Sequence, residues 1–229
     1  MPRGVKATLV IPTYRRPQNI KPILQAVGKQ GVFSQVILWN NDHEVPHKVY
    51  DNNWKCPKVS VYDSPWNVGP YGRFVAAERA ACDIIATQDD DYVVNNWAEL
   101  LSEFDQRKGK ELVAGVFYER RNGKVATQAQ IACGPRGNDI MLGWGSVFDR
   151  RWIGPAFKPY LAKHGPDPLF VRKADRIFSI MLGRYHVELT ANVHALPGAG
   201  EEPALHYTPH NKQWTQEARK RCRELLAAT

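Results

Sequence analysis

The sequence is poor in cysteine and contains no long apolar run. Its four cysteines, Cys56, Cys82, Cys133 and Cys222, lie far apart and form no CxxC pair, so we expect neither a zinc knuckle nor a disulfide framework. A reducing, cytoplasmic compartment is the simplest interpretation. No stretch approaches the roughly 18 apolar residues that span a bilayer, and residues 1–6 show no signal-peptide pattern, so we expect no membrane segment.

The sequence also lacks the helix-turn-helix, RNP and zinc-finger patterns of nucleic-acid-binding modules. It is nevertheless basic, with a formal net charge of +8, which indicates affinity for polyanions such as nucleotide phosphates, nucleic acid or an anionic membrane surface. Five basic residues lie near the C-terminus: Lys212, Arg219, Lys220, Arg221 and Arg223. Apolar residues share this segment at helical spacing, which predicts a helix with a basic outer face. That face is either simply solvated or a polyanion site.

Strand-like and helix-like patterns alternate along the first ninety residues of this 229-residue chain. Strands are predicted at 7–12, 35–39, 59–62 and 83–87. A helix capped by Asn19, with Pro22 in its first turn, follows the first strand, and a second helix is predicted over 70–82. This order is typical of one α/β domain with crossover helices, in which ligands bind beyond the carboxyl ends of the strands.

The second half of the chain is less regular. A helix is predicted after Asn96, strands at 112–117, 125–131, 140–148 and 185–189, and a hairpin turn at 121–123. Residues 151–168 are rich in proline, glycine and aromatics, which predicts a loop. A short helix is predicted over 174–182, and a Gly/Pro segment follows at 197–203.

A polar cluster follows each of the first four predicted strands. The clusters are Thr13-Tyr14-Arg15, Asn40-Asn41-Asp42, Asn67-Val68-Gly69 and Asp89-Asp90-Asp91. If the strands are parallel, the clusters converge on one edge of the sheet. Such an edge can hold a nucleoside, with amides and carboxylates contacting base and ribose while a metal ion binds the diphosphate.

The acidic triplet Asp89-Asp90-Asp91 is the most informative of these clusters. Three neighbouring carboxylates repel one another unless a cation lies among them, and a divalent metal with a phosphate-bearing ligand fits that need. The alternative is a solvated turn whose aspartates cap the helix that begins near Asn96. The three other clusters at matching strand ends favour the metal and nucleotide interpretation.

Four segments in a fixed order carry a resemblance to a known family. They are residues 8–15 (TLVIPTYR), residues 36–41 (VILWNN), Asn67-x-Gly69 with Arg73-Phe74, and the acidic triplet. Over about the first 95 residues the chain resembles nucleotide-sugar glycosyltransferases of the GT-A fold, both the exostosin-like group (family 64) and family 2. The resemblance implies a Rossmann-like mixed sheet flanked by helices. It also implies one domain, 1–229, with a nucleotide-sugar-binding half (1–95) and an acceptor half (96–229).

The resemblance assigns roles to residues of the first half. Thr13, Arg15 and Asn41 match positions that hold the nucleoside base, and Arg73 matches one that reaches the donor. Asp42 and Asn67 are counted with these donor-binding residues. Asp89 matches the first aspartate of the family's DxD motif, near the ribose, and Asp91 matches the one that binds Mn²⁺ or Mg²⁺. Asp90 lies between them, is counted with the donor contacts, and is expected to tolerate substitution best.

In the second half the resemblance is thinner. Gly145, within Leu142–Ser146, resembles the glycine-containing strand that lines the sugar pocket; the alternative is a bulged core strand. Asp175 resembles the catalytic carboxylate ahead of a short helix; the alternative is an ordinary aspartate at a helix N-terminus. Either His206 or His210 resembles a late histidine that binds the metal, with His206 preferred, and a structural histidine is the alternative.

The leading hypothesis is a metal-dependent glycosyltransferase that moves a sugar from a nucleotide-diphosphate sugar, with UDP favoured, to an acceptor hydroxyl. Asp175 acts as general base if the reaction inverts, and orients the acceptor if it retains. One alternative is a nucleotidyltransferase, although residues 13–17 lack the usual glycine-rich phosphate loop with a lysine. Another is a non-enzymatic nucleic-acid-binding protein. The acceptor hydroxyl belongs to a saccharide or, as the basic charge also allows, to a modified base in DNA, as in some phage enzymes.

Overall fold

Strands and helices alternate along the first part of the chain, as the hydrophobic pattern predicts. The structure is a computed structural model that describes residues 6–44, 58–115, 120–121, 124–125, 140, 142–187, 193–198 and 210–228. The strands are β1 (Ala7–Thr13), β2 (Phe33–Asn40), β3 (Val59–Asp63), β4 (Ile84–Thr87), β5 (Tyr92–Val94), β6 (Leu112–Ala114), β7 (Arg120–Arg121), β8 (Lys124–Val125), β9 (Ser146–Asp149), β10 (Tyr185–Val187) and β11 (Val193–Ala195). The α-helices are α1 (Pro17–Gln30), α2 (Gly72–Ala77), α3 (Trp97–Gln106), α4 (Ile153–His164), α5 (Pro168–Leu182) and α6 (Asn211–Ala227).

Seven strands form one mixed sheet in the order β10-β6-β9-β4-β1-β2-β3. Strand β1 is parallel to β2 and β4, and β2 is parallel to β3, whereas β9 runs antiparallel to both β4 and β6. The carboxyl ends of β1 to β4 therefore lie at the same edge of the sheet. We call this edge, where Thr13, Asn40, Asp63 and Thr87 end their strands, the rim.

The central strands are apolar on both faces because helices cover both faces of the sheet. On one face, Leu9 and Ile11 of β1 pack in a core with apolar residues of α1 and α3. On the other, Val10 belongs to a second core with α2, α4, α5 and α6. This arrangement explains why the strand sequences read as continuous apolar runs rather than as alternating ones.

Aromatic residues of the second core fasten α5 to α2. The ring of Phe74 on α2 lies 4.9 Å from that of Phe178 on α5 and 4.9 Å from that of Phe157 on α4. Each fully buried phenylalanine contributes roughly 1.5–3 kcal/mol through the apolar area that it removes from water. The packing matters for the site because α2 also carries Arg73 and α5 carries Asp175.

The predicted loop at 151–168 is wrong, because most of it is helix α4. Four residues at i, i+3, i+4 and i+7 are buried along one face of this helix: Ile153, Ala156, Phe157 and Tyr160. The helix also contains Pro159. The glycine and proline content of this segment led to the loop prediction, although its apolar residues have helical spacing. Burial of the aromatic face stabilises the helix by more than the internal proline destabilises it.

Several predicted boundaries also needed correction. Helix α1 begins at Pro17, so Asn19 is not its cap and Pro22 lies inside the helix. The helix predicted over 70–82 is a 3₁₀ turn (Gly69–Tyr71) followed by α2. The strand predicted over 140–148 is a 3₁₀ turn (Leu142–Trp144) followed by β9. Proline and glycine shorten these elements, and α5 begins at Pro168 rather than at 174.

Other predicted elements are confirmed within the described residues. Strands β7 and β8 pair antiparallel on either side of 122–123, as a hairpin requires, and the rest of the strand predicted at 125–131 lies outside the described residues. Helix α6 buries Ala218 and Cys222 and exposes Lys212, Lys220 and Arg223. No described helix is both long enough and apolar enough to cross a membrane.

Candidate active site

The predicted polar clusters converge at the rim because the four strands that precede them are parallel. The Asn41 backbone N–H donates to the Thr13 carbonyl at 2.9 Å, and the Ser64 N–H donates to the Asn40 carbonyl at 2.8 Å, so the ladder continues just past the strand ends. The Tyr14 N–H donates to the Asp90 carboxylate at 2.8 Å, which links the first cluster to the acidic triplet. The convergence predicted from the sequence is confirmed.

Asp90 is the most firmly held residue of the acidic triplet. Its side chain is almost fully buried and accepts hydrogen bonds from the Tyr14 N–H at 2.8 Å and from Arg16 Nη1 at 2.9 Å. Burial raises the pKa of Asp90, and Arg16 opposes that shift. These contacts argue against the expectation that Asp90 tolerates substitution best, because a neutral residue here would leave the buried Arg16 guanidinium without its closest carboxylate.

Asp91 is buried, and only one of its two carboxylate oxygens lies near a cation of the described residues. Its Oδ1 has no hydrogen-bond partner among the described residues, and Arg16 Nη1 lies 3.6 Å from its Oδ2. Burial, and then the charges of Asp89 and Asp90, raise the pKa of Asp91 to about 7. A buried carboxylate oxygen of this kind is well suited to a cation ligand, which would favour the ionised form.

The acidic triplet does not cap helix α3. The N-cap of that helix is Asn96, and strand β5 separates it from the triplet. Strand β5 also pairs with β11, and the Leu196 N–H donates to the Asp91 carbonyl at 2.8 Å. The turn after β4 is thus held in place by long-range contacts and is not a solvated turn.

Arg15 and Asp42 lie together at the rim. Arg15 has a φ of 58°, which is uncommon outside glycine, and its side chain is about half exposed. Its Nε lies 3.9 Å from the buried Asp42 carboxylate, and its Nη2 lies 3.7 Å from Glu44. Arg15 therefore presents a solvent-accessible cation beside the strand ends, as its predicted role in nucleotide binding requires.

Asn41 and Asn67 shape the loop that follows β3. The Asn41 side chain donates to the Gly69 carbonyl at 3.2 Å and accepts from the Val68 N–H at 3.2 Å, while Asn67 accepts from the Gly69 N–H at 2.7 Å. Trp66, in the same loop, is 65% exposed. The two asparagines build a fixed loop at the rim, and their contact with a nucleoside stays a prediction.

Arg73 was expected to reach the donor, but it is buried between two of the protein's own carboxylates. Its Nη2 donates to Asp89 Oδ1 at 2.6 Å, its Nε lies 2.9 Å from Asp175 Oδ1, and its Nη1 donates to Thr87 Oγ1 at 3.1 Å. The side chain is only 2% exposed. The structure therefore gives this guanidinium protein partners, and a donor contact stays a prediction.

Asp175 lies beside the acidic triplet, although 84 positions separate it from Asp91 in the sequence. Helix α5 is kinked at Lys173, whose φ and ψ are −124° and 20°, so that Asp175 opens the second segment of the helix. Burial raises the pKa of Asp175 to about 7, Arg73 lowers it and the Asp89 charge raises it. A carboxylate with a pKa near neutrality suits a general base, but its role stays a prediction.

Gly143, rather than the predicted Gly145, approaches the triplet. A Cβ at Gly143 would lie 1.9 Å from Asp89 Oδ2, and the Asp89 N–H donates to the Gly143 carbonyl at 2.7 Å. Gly145 has a φ of 98° and faces Val94 at the apolar core. The requirement for glycine in this segment is therefore explained, while the predicted contact of Gly145 with a sugar is untested.

We expect Gly143→Ala to reduce activity on the order of 10²-fold, because displacing a site group by about 1 Å has an effect of that size. The new methyl group would force the Asp89 side chain away from Arg73. Steady-state kinetics with thermal unfolding measures the effect. Gly154→Ala is the matched control, since a Cβ there has no neighbour within 4 Å. An active Gly143→Ala variant would show that the position of Asp89 is unimportant.

The histidines do not complete a metal site within the described residues. His206 lies outside them. His210 is exposed at the start of α6, where its ring nitrogen lies 3.3 Å from Gln213 Oε1. Among the described residues, no group of three or more histidine, cysteine, aspartate or glutamate side chains is arranged to hold a metal ion. Metal binding by Asp91 therefore stays a prediction.

Arg16 is the site residue that sequence reasoning missed. It pairs with Asp90 through Nη1 and donates through Nη2 to the Gly198 carbonyl at 3.1 Å, while Asn19 donates to the Pro197 carbonyl at 2.9 Å. The segment 193–198 is thereby held against the triplet. A second arginine directly before the helix-starting Pro17 was the available signal, but its partners are 74 and 182 positions away.

The sheet with its one antiparallel central strand, and the acidic triplet at the rim, define the class of protein as a GT-A fold glycosyltransferase. Residues 8–155 match the model of glycosyl transferase family 2. Because the match spans more than half of the chain, the protein belongs to this family and is a glycosyltransferase. Of the two groups that the sequence resembles, this match is to family 2. Membership of this family excludes the two alternatives, a nucleotidyltransferase and a non-enzymatic nucleic-acid-binding protein.

Solved structures agree on the fold. S. aureus TarS 1-349 superposes with a TM-score of 0.59 at 16% identity, covering 95% of this chain and 71% of that chain. The same protein in complex with UDP gives 0.56 at 14% identity, covering 94% and 64%. Its complex with UDP-GlcNAc gives 0.56 at 15% identity, covering 95% and 72%. No curated protein is similar enough to this chain to count as a match.

Proposed function

We propose that this protein is a metal-dependent glycosyltransferase that transfers a sugar from a UDP-sugar to an acceptor hydroxyl. The observation that carries the metal is the buried Oδ1 of Asp91, which has no hydrogen-bond partner among the described residues. The donor proposal draws on the TarS structures in complex with UDP and UDP-GlcNAc, which have the same fold. Residues 1–95 form the donor half and residues 96–229 the acceptor half in this proposal.

The donor set fits a hard divalent cation. Asp91 supplies a carboxylate oxygen, the type of ligand that Mn²⁺ and Mg²⁺ prefer, and His206 is the proposed second protein ligand. When bound, such a cation neutralises charge that develops on the departing nucleotide diphosphate. Asp89 is proposed to contact the donor near the ribose, and the half-exposed Arg15 to contact the nucleotide.

We infer that transfer is a single displacement with inversion. Asp175 accepts the proton of the acceptor hydroxyl, that oxygen bonds to the anomeric carbon, and the bond from this carbon to the β-phosphate oxygen breaks. Support comes from the nearly buried Asp175 carboxylate, whose pKa of about 7 keeps a basic form available at neutral pH. Proton NMR of the first-formed anomer tests this, because retention would exclude Asp175 as an in-line base.

The acceptor is proposed to be anionic, with a hydroxyl on a modified DNA base as one member of the class. The protein carries a net charge of +8, and α6 exposes Lys212, Lys220 and Arg223. Arg221 of α6 forms an ion pair at 2.7 Å with Asp167, the N-cap residue of α5, and α5 carries Asp175. Salt at about 0.5 M shortens the Debye length to roughly 3–10 Å and therefore screens surface charges. If this salt leaves the rate of transfer to hydroxymethylated DNA unchanged, the acceptor site is not electrostatic.

The test of the function is donor turnover. We expect the protein to release UDP from at least one UDP-sugar in the presence of Mn²⁺, to lose this activity in EDTA, and to regain it when Mn²⁺ is restored. A coupled UDP-release assay over a panel of nucleotide sugars, with and without hydroxymethylated DNA, measures it. Absence of turnover with every donor would refute the proposed function, and turnover that persists in EDTA would refute the metal.

A further inference from the structure

We propose that Arg73 is a positioning residue that holds the catalytic Asp175 and the donor-binding Asp89 at a fixed separation. The inference rests on the proposed function of the same site, because it concerns how two of its carboxylates are kept in place. It gives Arg73 a role through the protein's own side chains, in contrast to the direct donor contact that the resemblance implies.

The backbone at Arg73 is fixed by close packing. Gly72, directly before it, lies against the Trp39 indole so closely that a Cβ would be 2.5 Å from the ring. Phe74, directly after it, is buried among aromatic side chains of α4 and α5. Arg73 therefore starts from a position set by β2 on one side and by the aromatic core on the other.

All three guanidinium nitrogens of Arg73 have protein partners. Nη2 donates to Asp89 at 2.6 Å, Nη1 donates to Thr87 at 3.1 Å, and Nε donates to the Pro70 carbonyl at 3.3 Å while lying 2.9 Å from Asp175 Oδ1. The planar guanidinium thus donates a hydrogen bond to Asp89 and lies at ion-pair distance from Asp175, a fixed geometry that a lysine ammonium cannot reproduce. The contacts join three elements: α2, the rim after β4, and α5.

The charged groups around Asp175 explain why its ion pair with Arg73 matters. Asp175 is faced by Arg73 from α2 and by Asp89 from the rim, with Lys173 on its own helix. Lys173 in turn donates to Asn211 of α6. Without Arg73, two nearby carboxylates would repel and Asp175 would be protonated more readily. In this proposal, Arg73 favours the ionised form of Asp175 and fixes its position relative to Asp89.

The decisive experiment is a double-mutant cycle with Arg73→Lys and Asp175→Asn. We expect Arg73→Lys to lower kcat about 10- to 100-fold with a much smaller change in donor KM, as displacement of a catalytic group by ~1 Å would. In the Asp175→Asn background, Arg73→Lys should lower kcat little further, because its effect on kcat acts through Asp175, and only the small change in donor KM that acts through Asp89 should persist. An effect of equal size in both backgrounds, carried by donor KM, would assign Arg73 to the donor and overturn the proposal.

A second measurement needs no turnover. Titration of the carboxyl ¹³C signal of Asp175 should give a higher pKa in Arg73→Gln than in the wild type, because the cation facing it is gone. An unchanged pKa would overturn the proposal even if no donor is ever turned over. Arg107→Lys is the matched control, since Arg107 also bridges two carboxylates, Glu103 at 2.8 Å and Glu111 at 2.9 Å, on the far end of α3. It should leave kcat and the pKa of Asp175 unchanged.

Discussion

Asp91→Asn is expected to lower the rate of sugar transfer on the order of 10³-fold, the upper range for losing one preorganised electrostatic group in an active site. Asparagine has nearly the same shape as aspartate but lacks the charge that a divalent cation requires. The reason for choosing Asp91 over its neighbours is its Oδ1, which is buried without a hydrogen-bond partner among the described residues, whereas Asp89 and Asp90 are engaged by arginines. Steady-state kinetics in Mn²⁺ measures the effect.

The same variant should bind the metal and the nucleotide less well. Isothermal titration of UDP in the presence of Mn²⁺ gives the affinity independently of turnover. Asp105→Asn, an exposed aspartate on α3, is the matched control and should behave as the wild type. Mn²⁺-dependent UDP binding that is unchanged in Asp91→Asn would refute Asp91 as the metal ligand.

Stability supplies a readout that involves no substrate. The pKa of Asp91 in the folded protein, about 7, lies above its ordinary value of 3.8, so the folded state binds the proton more tightly than the unfolded state does. The ionised carboxylate therefore destabilises the metal-free fold increasingly as pH rises from about 4 to about 7. Asp91→Asn should raise the melting temperature of the metal-free protein at pH 8 more than at pH 5.

Much of the rim could be predicted because it depends on local sequence. Each apolar strand ends in polar residues, and parallel pairing of β1 to β4 is enough to bring Thr13, Asn41 and the triplet together. The position of each strand could be predicted from a short apolar run, such as residues 8–11 or 36–39. For the same reason, the polar clusters at the rim were predicted more fully than the contacts that α5 and the segment 193–198 make with them.

What the sequence could not supply are the long-range pairs. Arg16 and Asp90 are 74 positions apart, and no local pattern distinguishes Arg16, which is buried, from the half-exposed Arg15 beside it. Likewise, the need for glycine at position 143 comes from the Asp89 side chain that faces it. Helix α4 was not predicted for a different reason. Its proline and glycine residues are typical of a loop, but burial of its apolar face stabilises a helix.

Two arginines compensate the charge of the triplet. Arg16 neutralises Asp90 and lies near Asp91, and Arg73 neutralises Asp89. Arg16 and Arg73 face four carboxylates, those of the triplet and of Asp175, so negative charge is in excess at the site. Burial, and then the charges of Asp89 and Asp90, raise the pKa of Asp91. A divalent cation at Asp91 would offset this negative charge and allow an anionic diphosphate to bind beside it.

Asp175→Asn is expected to lower kcat by about 10²- to 10⁴-fold, the range for losing general-base catalysis, while donor affinity changes little. The amide keeps the shape of the side chain but cannot accept the proton of the acceptor hydroxyl. Steady-state kinetics with saturating donor measures kcat, and titration of UDP measures binding. Asp105→Asn again serves as the control.

The pH dependence distinguishes a base from a residue that only orients the acceptor. Because burial raises the pKa of Asp175 to about 7, the base is protonated and inactive below that pH, so kcat/KM for the acceptor should rise with pH through about 7 and then level. In Asp175→Asn the residual rate should lose this acid limb, since the group that titrates is gone. A variant that keeps both the acid limb and a rate near that of the wild type would show that another group takes the proton. Asp175 would then be left as a partner of Arg73 alone.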